Sequence, residues 1–423
     1  MTKTFCFNRK KLIFLVMLFT ILVCNSVFAS GGSESDRLIR CTFLQEYSPE
    51  QVREFQVKLI GSFGENGKII SEKSGIPDNN VNGIKTYLIE YETTNYNGKP
   101  IKASGLLVVP TVNKAEYPVV SYQHGAILIN SYGPTYLEKS GEGLFAVSIF
   151  AAKGYVVFLP DYIGCGRSKI LHPFFHAATQ ASASLDMILA SERACSDLGI
   201  KLKRGIFLTG FSQGGQSTMA LQRLIEQKSG NRIKINASAP VSGPYSMTML
   251  WDFWLNKPCR LTSILTLKTI IAYNTVYDLK LNYNEVFVKP YSKDCVSINK
   301  DVEAGRYGTE KEIEALVPPD LQNFLTKEFI EQVNSHKSPY YKALEDNNLC
   351  EWTPVSPTKL IYCADDEIIP ASEALYTLEK MKKSGAKNIE AVDVGKGLNH
   401  VEAALPALRI ARDWFDSFQE ESF

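Results

Sequence analysis

The hydrophobic positions of the chain recur in two alternating patterns. Short runs rich in Val, Ile, Leu and Tyr predict strands at Ile84–Thr93, Ala103–Pro110, Tyr117–Tyr122, Tyr155–Pro160, Gly205–Thr209, Ile235–Val241, Lys359–Cys363 and Ile389–Val394. Longer amphipathic stretches between them predict helices at Gly143–Lys153, Ala178–Leu198, Gln213–Lys228, Ser372–Ser384 and Val401–Phe418. Strands that alternate with helices through short connections predict an α/β fold, with a mainly parallel sheet flanked by helices on both faces.

One interval interrupts this alternation. Between Gly243 and Thr358 the chain has helical patterns, such as Leu261–Val276, and no convincing strand. Because a structureless loop of this length is abnormal in a compact domain, we interpret residues 246–357 as an inserted helical cap. The core would then consist of two parts, residues 30–245 and 358–423. A separate small domain with no role at the site is the alternative.

The first residues have the pattern of an export signal. Four basic residues precede an apolar run over residues 12–24, and Ala29 supplies the small residue that signal peptidase requires. The run is shorter than the roughly 20 apolar residues of a membrane-spanning helix. We therefore expect residues 1–29 to be a signal peptide and the mature protein to be secreted or periplasmic. An N-terminal anchor helix is the alternative.

Composition narrows the class of protein. The chain has 423 residues, of which 45% are apolar and 22% charged, which is typical of a globular protein. Its 46 basic and 45 acidic residues provide no basic surface for nucleic acid, so we expect no nucleic-acid partner. The sequence does not predict an oligomeric state.

Seven cysteines would remain after cleavage at Ala29. Because the number is odd, at least one thiol must stay free or pair with another chain. Cys259, Cys295 and Cys350 lie in the predicted cap, and a bond between Cys259 and Cys295 is the simplest disulfide to expect. The sequence contains no Cys-x-x-Cys motif and no zinc-finger spacing.

A Gly-x-Ser-x-Gly motif lies where a predicted strand meets a predicted helix. Gly-Phe-Ser-Gln-Gly occupies residues 210–214, directly after the strand Gly205–Thr209. In this context the motif is a nucleophile elbow, a sharp turn that exposes the serine at the carboxyl edge of the sheet. The flanking positions need glycine, because a Cβ there would collide with neighbouring strands. We therefore expect Ser212 to be a catalytic nucleophile.

A serine nucleophile needs a base, and in this architecture the acid and then the histidine follow the serine. Of five histidines, only His336 and His400 come after Ser212. His336 lies in a polar stretch typical of a surface, whereas His400 follows the strand Ile389–Val394 and should lie at the carboxyl edge. We expect His400 to be the base; a buried structural histidine is the alternative.

Three adjacent carboxylates follow the strand Lys359–Cys363. We expect Asp366 to be the acid that orients the histidine, because its spacing from Pro370 places it in the turn that leaves the strand. Asp365 is the alternative, and Glu367 is expected to face solvent.

A glycine-containing turn follows the strand Tyr117–Tyr122. Such a turn lets a backbone N–H point at an oxyanion, together with the N–H of the residue after the nucleophile. We assign the oxyanion hole to Gln213 and Ala126, with Gly125 as the close alternative. His124 precedes the serine and is expected to brace this loop by hydrogen bonding.

These motifs together resemble the α/β-hydrolase fold. More narrowly, residues 160–168 (Pro-Asp-Tyr-Ile-Gly-Cys-Gly-Arg-Ser) and the His-Pro-Phe at 172–174 resemble the secreted lipase/esterase branch that includes the secretory lipases. The resemblance covers roughly Tyr117 to the C-terminus. It departs from the family at Cys165, where a leucine-like residue is usual, and at Cys363, where glycine is usual. We expect both to be buried packing changes.

The resemblance implies carboxylic ester hydrolysis, with Ser212, Asp366 and His400 at the triad positions. We therefore expect a secreted serine esterase or lipase that forms an acyl-enzyme intermediate, needs no cofactor and acts on small-molecule or lipid esters. A lipid substrate would bring transient contact with a lipid interface. A secreted aminopeptidase-like serine peptidase, an acyltransferase and a non-catalytic binding module are the alternatives.

Two further groups of side chains have both a functional and a purely structural interpretation. His172 and His176 have a spacing found in metal sites, but Pro173 argues against a shared helical face, so we expect no metal. The aromatic residues Trp251, Phe253 and Trp254 could line an acyl pocket or form the core of the cap.

Overall fold

The computed structural model describes residues 37–228 and 232–420. The predicted signal peptide, residues 1–29, lies outside the described residues. None of the helices within the described ranges is both long enough and apolar enough to cross a membrane.

A nine-stranded sheet forms the centre of the described part of the chain, in the spatial order β1-β2-β3-β5-β4-β6-β7-β8-β9. The first three strands and the contact of β3 with β5 are antiparallel, and every other neighbouring pair is parallel. The mainly parallel sheet is therefore confirmed. The strands are β1 (Leu38–Tyr47), β2 (Ile84–Thr94), β3 (Pro100–Pro110), β4 (Val119–Gln123), β5 (Val156–Pro160), β6 (Ile206–Phe211), β7 (Ile235–Val241), β8 (Thr358–Tyr362) and β9 (Ile389–Asp393).

Helices cover both faces of this sheet, because successive strand residues point to opposite faces and both sets are apolar. On β6, Phe207 packs into one hydrophobic cluster and Leu208 into the other. One face is covered by α1 (Pro49–Gly61), α2 (Gly67–Ser74), α3 (Gly141–Ile149) and α14 (His400–Glu420). The other face is covered by α4 (Ala177–Asp197) and α5 (Gln213–Lys228), and α13 (Ala371–Lys383) packs beside β8 and β9.

The segment between β7 and β8 is helical, as the sequence pattern predicts. It contains α6 (Met247–Asn256), α7 (Thr262–Val276), α8 (Tyr283–Val286), α9 (Tyr291–Glu303), α10 (Glu310–Glu314), α11 (Lys327–Asn334) and α12 (Pro339–Asp346). Every residue of α7 from Thr262 to Tyr273 is buried, so this helix is the centre of a separate hydrophobic cluster. The same cluster includes Phe174 and Ile368, which belong to loops of the core. The division of the chain at residues 246 and 357 stays a prediction.

The sequence pattern does not predict β1, α1 or α2, although the structure contains all three. In β1 most residues are exposed, and the pairing with β2 shifts register between Leu38 and Arg40 and again between Phe43 and Gln45. Such bulges interrupt the two-residue alternation from which an edge strand could be recognised.

Candidate active site

Ser212 lies in a strained turn between β6 and α5. Its φ is +60°, a left-handed backbone conformation that is uncommon for a residue with a Cβ. The turn is held to the neighbouring strand by the Ser212 N–H, which donates to Val241 O at 2.9 Å. Both glycines of the motif are required by close packing, because a Cβ at Gly210 would lie 2.3 Å, and one at Gly214 1.9 Å, from the carbonyl oxygen of Gln123. This is the geometry of a nucleophile elbow.

The structure brings the three predicted triad residues together in one hydrogen-bonded series. His400 Nε2 lies 2.9 Å from Ser212 Oγ, and His400 Nδ1 lies 2.7 Å from Asp366 Oδ2. The histidine begins α14, and its ring packs on Phe211 with the ring centres 4.6 Å apart. Ser212, Asp366 and His400 are 8%, 6% and 3% exposed, so the series is shielded from water while the serine keeps a small accessible surface.

The three adjacent carboxylates after β8 point in different directions. Asp366 contacts the histidine ring, whereas Asp365 accepts a hydrogen bond from the Gly397 N–H at 2.7 Å. Glu367 does not simply face solvent as expected: it is half-buried, and its carboxylate accepts the backbone N–H of His400 at 2.9 Å. That N–H belongs to the first turn of α14, where a carboxylate is stabilised by an otherwise unpaired donor and by the helix dipole.

The predicted oxyanion turn lies beside the elbow, because β4 and β6 are parallel neighbours with Gln123 opposite Gly210. The Gly125 carbonyl lies 2.7 Å from His124 Nδ1. In a trans peptide the next N–H points the opposite way, so the Ala126 N–H points away from the His124 ring. The Gly125 backbone, in contrast, lies against the carboxyl of Glu142, since a Cβ at residue 125 would be 2.6 Å from Glu142 Oε1. These contacts favour Ala126 over Gly125 as the donor that accompanies Gln213.

His124 has the bracing contacts expected of it. Its Nδ1 and Nε2 lie 2.7 and 3.1 Å from the carbonyl oxygens of Gly125 and Asp161, and burial lowers its pKa. The Asp161 carboxylate in turn accepts from the Ser104 hydroxyl at 2.5 Å and from the Thr135 N–H at 2.9 Å. The motif at residues 160–168 therefore supports the oxyanion turn from behind.

His172 holds the side chain of Gln213. Burial lowers the pKa of His172 to about 3, so the ring is neutral. Its Nδ1 lies 2.8 Å from Ile163 O, and its Nε2 lies 3.2 Å from Gln213 Nε2. With Nδ1–H donating to the carbonyl, Nε2 accepts from the Gln213 amide. No motif in the sequence indicates this contact.

The contacts of His172 and His176 do not support a metal site formed by these two histidines. His176 Nδ1 lies 3.0 Å from Thr179 Oγ1, and its ring packs edge-on against Tyr277. Within residues 37–228 and 232–420 there is no group of three or more His, Cys, Asp or Glu side chains arranged to hold a metal ion. His336 is exposed, as expected, and its ring stacks on Tyr341.

The expected disulfide between Cys259 and Cys295 is wrong: all seven cysteines of the described residues are free thiols. The Cys295 thiol instead donates to the Ser292 carbonyl, and the Cys259 sulfur accepts from the Thr262 hydroxyl. A disulfide needs Cα atoms within about 7 Å and suitable Cβ directions, which spacing along the chain does not report. Cys165 and Cys363 are fully buried, in agreement with a packing role.

The aromatic group of α6 is divided between two environments. Trp251 packs on Phe329 and Tyr340 inside the helical segment. Trp254 instead faces the core: its indole N–H donates to Ile368 O at 2.8 Å, and its ring lies 6.4 Å from that of Phe175. Trp254 thus joins the helical segment to the loop that carries Asp366.

Comparison with solved structures agrees with this description. The architecture is the α/β-hydrolase fold. A protein described as a hydrolase, from Legionella pneumophila subsp. pneumophila str. Philadelphia 1, superposes with a TM-score of 0.81 at 22% identity over 92% of this chain and 100% of that chain. The rice cell wall degrading esterase LipA from Xanthomonas oryzae gives a TM-score of 0.77 at 24% identity, over 91% and 100% of the two chains.

A more distant similarity is to Candida antarctica lipase A, with a TM-score of 0.60 at 15% identity over 86% of this chain and 77% of the lipase. No family model matches the chain, and no curated protein matches it in sequence. At these identities the similarity establishes the fold.

Proposed function

We propose that the protein is a serine carboxylic ester hydrolase, an esterase or lipase that acts through Ser212, His400 and Asp366. The observation that carries the proposal is the hydrogen-bonded series at the carboxyl edge of the sheet, with distances of 2.9 and 2.7 Å between its members. The nucleophile elbow and the neighbouring turn supply the other parts that ester hydrolysis needs. The names of the solved neighbours, an esterase and a lipase, support the same class.

In the first half of the reaction His400 Nε2 accepts the proton of Ser212 Oγ while this oxygen attacks the ester carbonyl carbon. The carbonyl oxygen becomes an oxyanion, which accepts hydrogen bonds from the backbone N–H groups of Gln213 and Ala126. Asp366 holds the imidazole in the tautomer with hydrogen on Nδ1 and stabilises the imidazolium that forms. The intermediate collapses, and the alcohol leaves with the proton from His400 Nε2.

In the second half water attacks the acyl-enzyme, with His400 now accepting a proton from the water. The carboxylic acid leaves, and Ser212 recovers its proton. No cofactor enters either half. The substrates that fit this chemistry are small-molecule or lipid esters, and the latter would bring transient contact with a lipid interface.

The decisive experiment uses p-nitrophenyl esters from acetyl to palmitoyl with the purified protein and its Ser212→Ala and His400→Ala variants. We expect each variant to lose at least about 10⁴-fold in kcat while remaining folded. His336→Ala is the matched control, because this exposed histidine is the other one downstream of the serine. Turnover retained by folded Ser212→Ala would contradict the proposal.

The same experiment separates the alternatives that share an acyl-enzyme. Aminoacyl p-nitroanilides, tested beside the esters, would be preferred by a serine peptidase. An added alcohol that diverts most of the acyl product from the free acid would indicate an acyltransferase. A protein that fails to react with a fluorophosphonate probe would be a non-catalytic binding module.

We further propose that residues 1–29 direct export and are removed, so that the enzyme acts in the periplasm or outside the cell. N-terminal sequencing of the protein recovered from these fractions should begin at Ser30. A mature protein that retains Met1 would contradict the proposal.

A further inference from the structure

The carboxyl of Glu142 lies directly behind the oxyanion turn. Glu142 is the second residue of α3 and its only charged residue, and the residue as a whole is half-buried. The hydroxyl of Tyr122, on β4, donates to Glu142 Oε2. The other carboxyl oxygen, Oε1, lies against the backbone at Gly125. One side chain from outside the turn therefore contacts both the strand before it and the turn itself.

The approach of this carboxyl explains why residue 125 is glycine. A Cβ at Gly125 would lie 2.6 Å from Glu142 Oε1 and 3.0 Å from the Phe211 carbonyl oxygen. The backbone of the turn is thus enclosed by the elbow on one side and the carboxyl on the other. The Gly125 carbonyl is in addition held by His124 Nδ1 at 2.7 Å.

The carboxyl can be neutral or ionised near neutral pH. Burial raises the pKa of Glu142 to about 7, whereas the hydrogen bond from Tyr122 and the nearby Gly125 backbone and His400 ring act in the opposite direction. Because the carboxyl can be protonated near neutral pH, a glutamine is a close mimic of this side chain in size and in hydrogen bonding.

We propose that Glu142 is a positioning residue for the proposed ester hydrolysis: by accepting the Tyr122 hydroxyl and packing against the backbone at Gly125, it fixes the turn that presents the Ala126 N–H to the oxyanion. This inference rests on the proposed function, since it concerns a transition state that forms only if the protein cleaves esters. An oxyanion donor acts on the transition state rather than on the bound substrate. Loss of its alignment should therefore lower kcat and leave KM nearly unchanged.

The test uses three substitutions of this residue. E142L keeps the volume and removes both acceptors, E142D keeps the charge but withdraws the carboxyl by one methylene, and E142Q keeps the acceptor in place. We expect E142L and E142D to lose about 10- to 100-fold in kcat, because a displaced catalytic group costs on the order of 10²-fold. E142Q should stay within about threefold of the wild type, and KM should stay within about twofold in all three.

Glu50 supplies the matched control. Like Glu142 it is the second residue of a helix with a serine N-cap, but it is exposed. E50Q should therefore leave kcat unchanged. The rate at which a fluorophosphonate labels Ser212 should fall in parallel with kcat in E142L and E142D, since phosphonylation uses the same oxyanion donors.

The outcomes distinguish the two proposals. Wild-type esterase activity with unchanged kcat in folded E142L and E142D would overturn the positioning role alone. Equal losses in E142Q and E142L would also overturn it, because charge rather than hydrogen bonding would then be the cause. If E142L does not fold, E142D and E142Q decide the question by the same criteria. A wild-type protein inactive on every ester would overturn the proposed function and this inference together.

Discussion

The Asp366 carboxylate is bound by its own loop on one oxygen and by His400 on the other. Oδ1 accepts the backbone N–H groups of Ile368 and Ile369 at 3.0 and 2.8 Å, while Oδ2 lies 2.7 Å from His400 Nδ1. The loop therefore fixes the direction of the carboxylate independently of the histidine. Asp365, one residue earlier, is directed at the Gly397 N–H instead.

This relationship predicts that only one of the two aspartates is needed for turnover. Asp366→Asn should lower kcat about 10³- to 10⁴-fold, because an amide in place of the carboxylate favours the wrong histidine tautomer and cannot stabilise the imidazolium. Asp365→Asn is the matched control and should change kcat less than about fivefold, since its partner is one backbone N–H at the surface. The measurement is kcat on the best p-nitrophenyl ester. A larger loss in Asp365→Asn than in Asp366→Asn would reverse the assignment.

The positions of the three proposed triad residues can be predicted from the sequence because of the sheet. Ser212, Asp366 and His400 each follow a strand, and the carboxyl ends of parallel strands meet at one edge. Chain order and the elbow motif then select Ser212 and His400, whereas they leave Asp365 as an alternative to Asp366. The strands before Ser212 and Asp366, β6 and β8, are short and largely buried, so their apolar runs are visible in the sequence; β9, before His400, is only partly buried.

Other parts of the site depend on contacts that no local pattern encodes. Glu142 reaches the oxyanion turn from a helix that begins 18 residues after β4 ends, and nothing in its neighbourhood is a motif. The three carboxylates from Asp365 to Glu367 differ only in the geometry of one turn, which explains why Glu367 was wrongly expected to face solvent. The pairing of Cys259 with Cys295 failed for the same reason, since proximity in sequence does not specify Cβ directions.

The second prediction concerns the packing of the elbow. Gly214→Ala would place a Cβ 1.9 Å from the Gln123 carbonyl oxygen, a backbone atom that cannot move without displacing β4. We expect a loss of about 3 kcal/mol or more in the free energy of unfolding, at the upper end of overpacking costs. Gly61→Ala is the control, because its Cβ would meet nothing within 4 Å, and it should be neutral or stabilising by up to about 1 kcal/mol. Urea midpoints measure both; equal midpoints for the two variants would contradict the packing argument.

The third prediction concerns a buried ion pair that joins α7 to α9. Lys268 Nζ lies 2.9 Å from Glu303 Oε1, and their side chains are only 1% and 12% exposed. Lys268→Met leaves a carboxylate buried without its partner, which should cost about 3–5 kcal/mol. The exposed pair of Lys342 and Glu345 is the control, and Lys342→Met should cost less than about 1 kcal/mol.

The double variant Lys268→Met/Glu303→Leu extends this test. It removes both charges, so much of the lost stability should return, because a buried ion pair can be replaced by apolar residues at little net cost. Thermal melting temperatures of the three proteins measure the effect. A double variant that is less stable than Lys268→Met would show that the charge left on Glu303 is not the source of the loss.

The last prediction uses the buried carboxyl of Glu373 on α13. Glu373 Oε2 accepts the Ser246 N–H at 2.8 Å at the start of α6, and Oε1 has no hydrogen-bond partner. Burial raises the pKa of Glu373 from 4.5 to about 8. The folded protein therefore holds this proton more tightly than the unfolded chain does. The resulting stability is fully present below pH 4.5 and is lost as the pH rises through 8.

Glu373→Gln should remove this pH dependence, because the amide keeps the acceptor for the Ser246 N–H and does not ionise. We expect the melting temperature of the variant, relative to the wild type, to be higher at pH 9 than at pH 5 by about 5 °C. Glu379→Gln, on the exposed side of the same helix, should show no such shift. Thermal unfolding of the three proteins at both pH values measures this difference. The same difference between variant and wild type at both pH values would mean that Glu373 is ionised in the folded protein throughout.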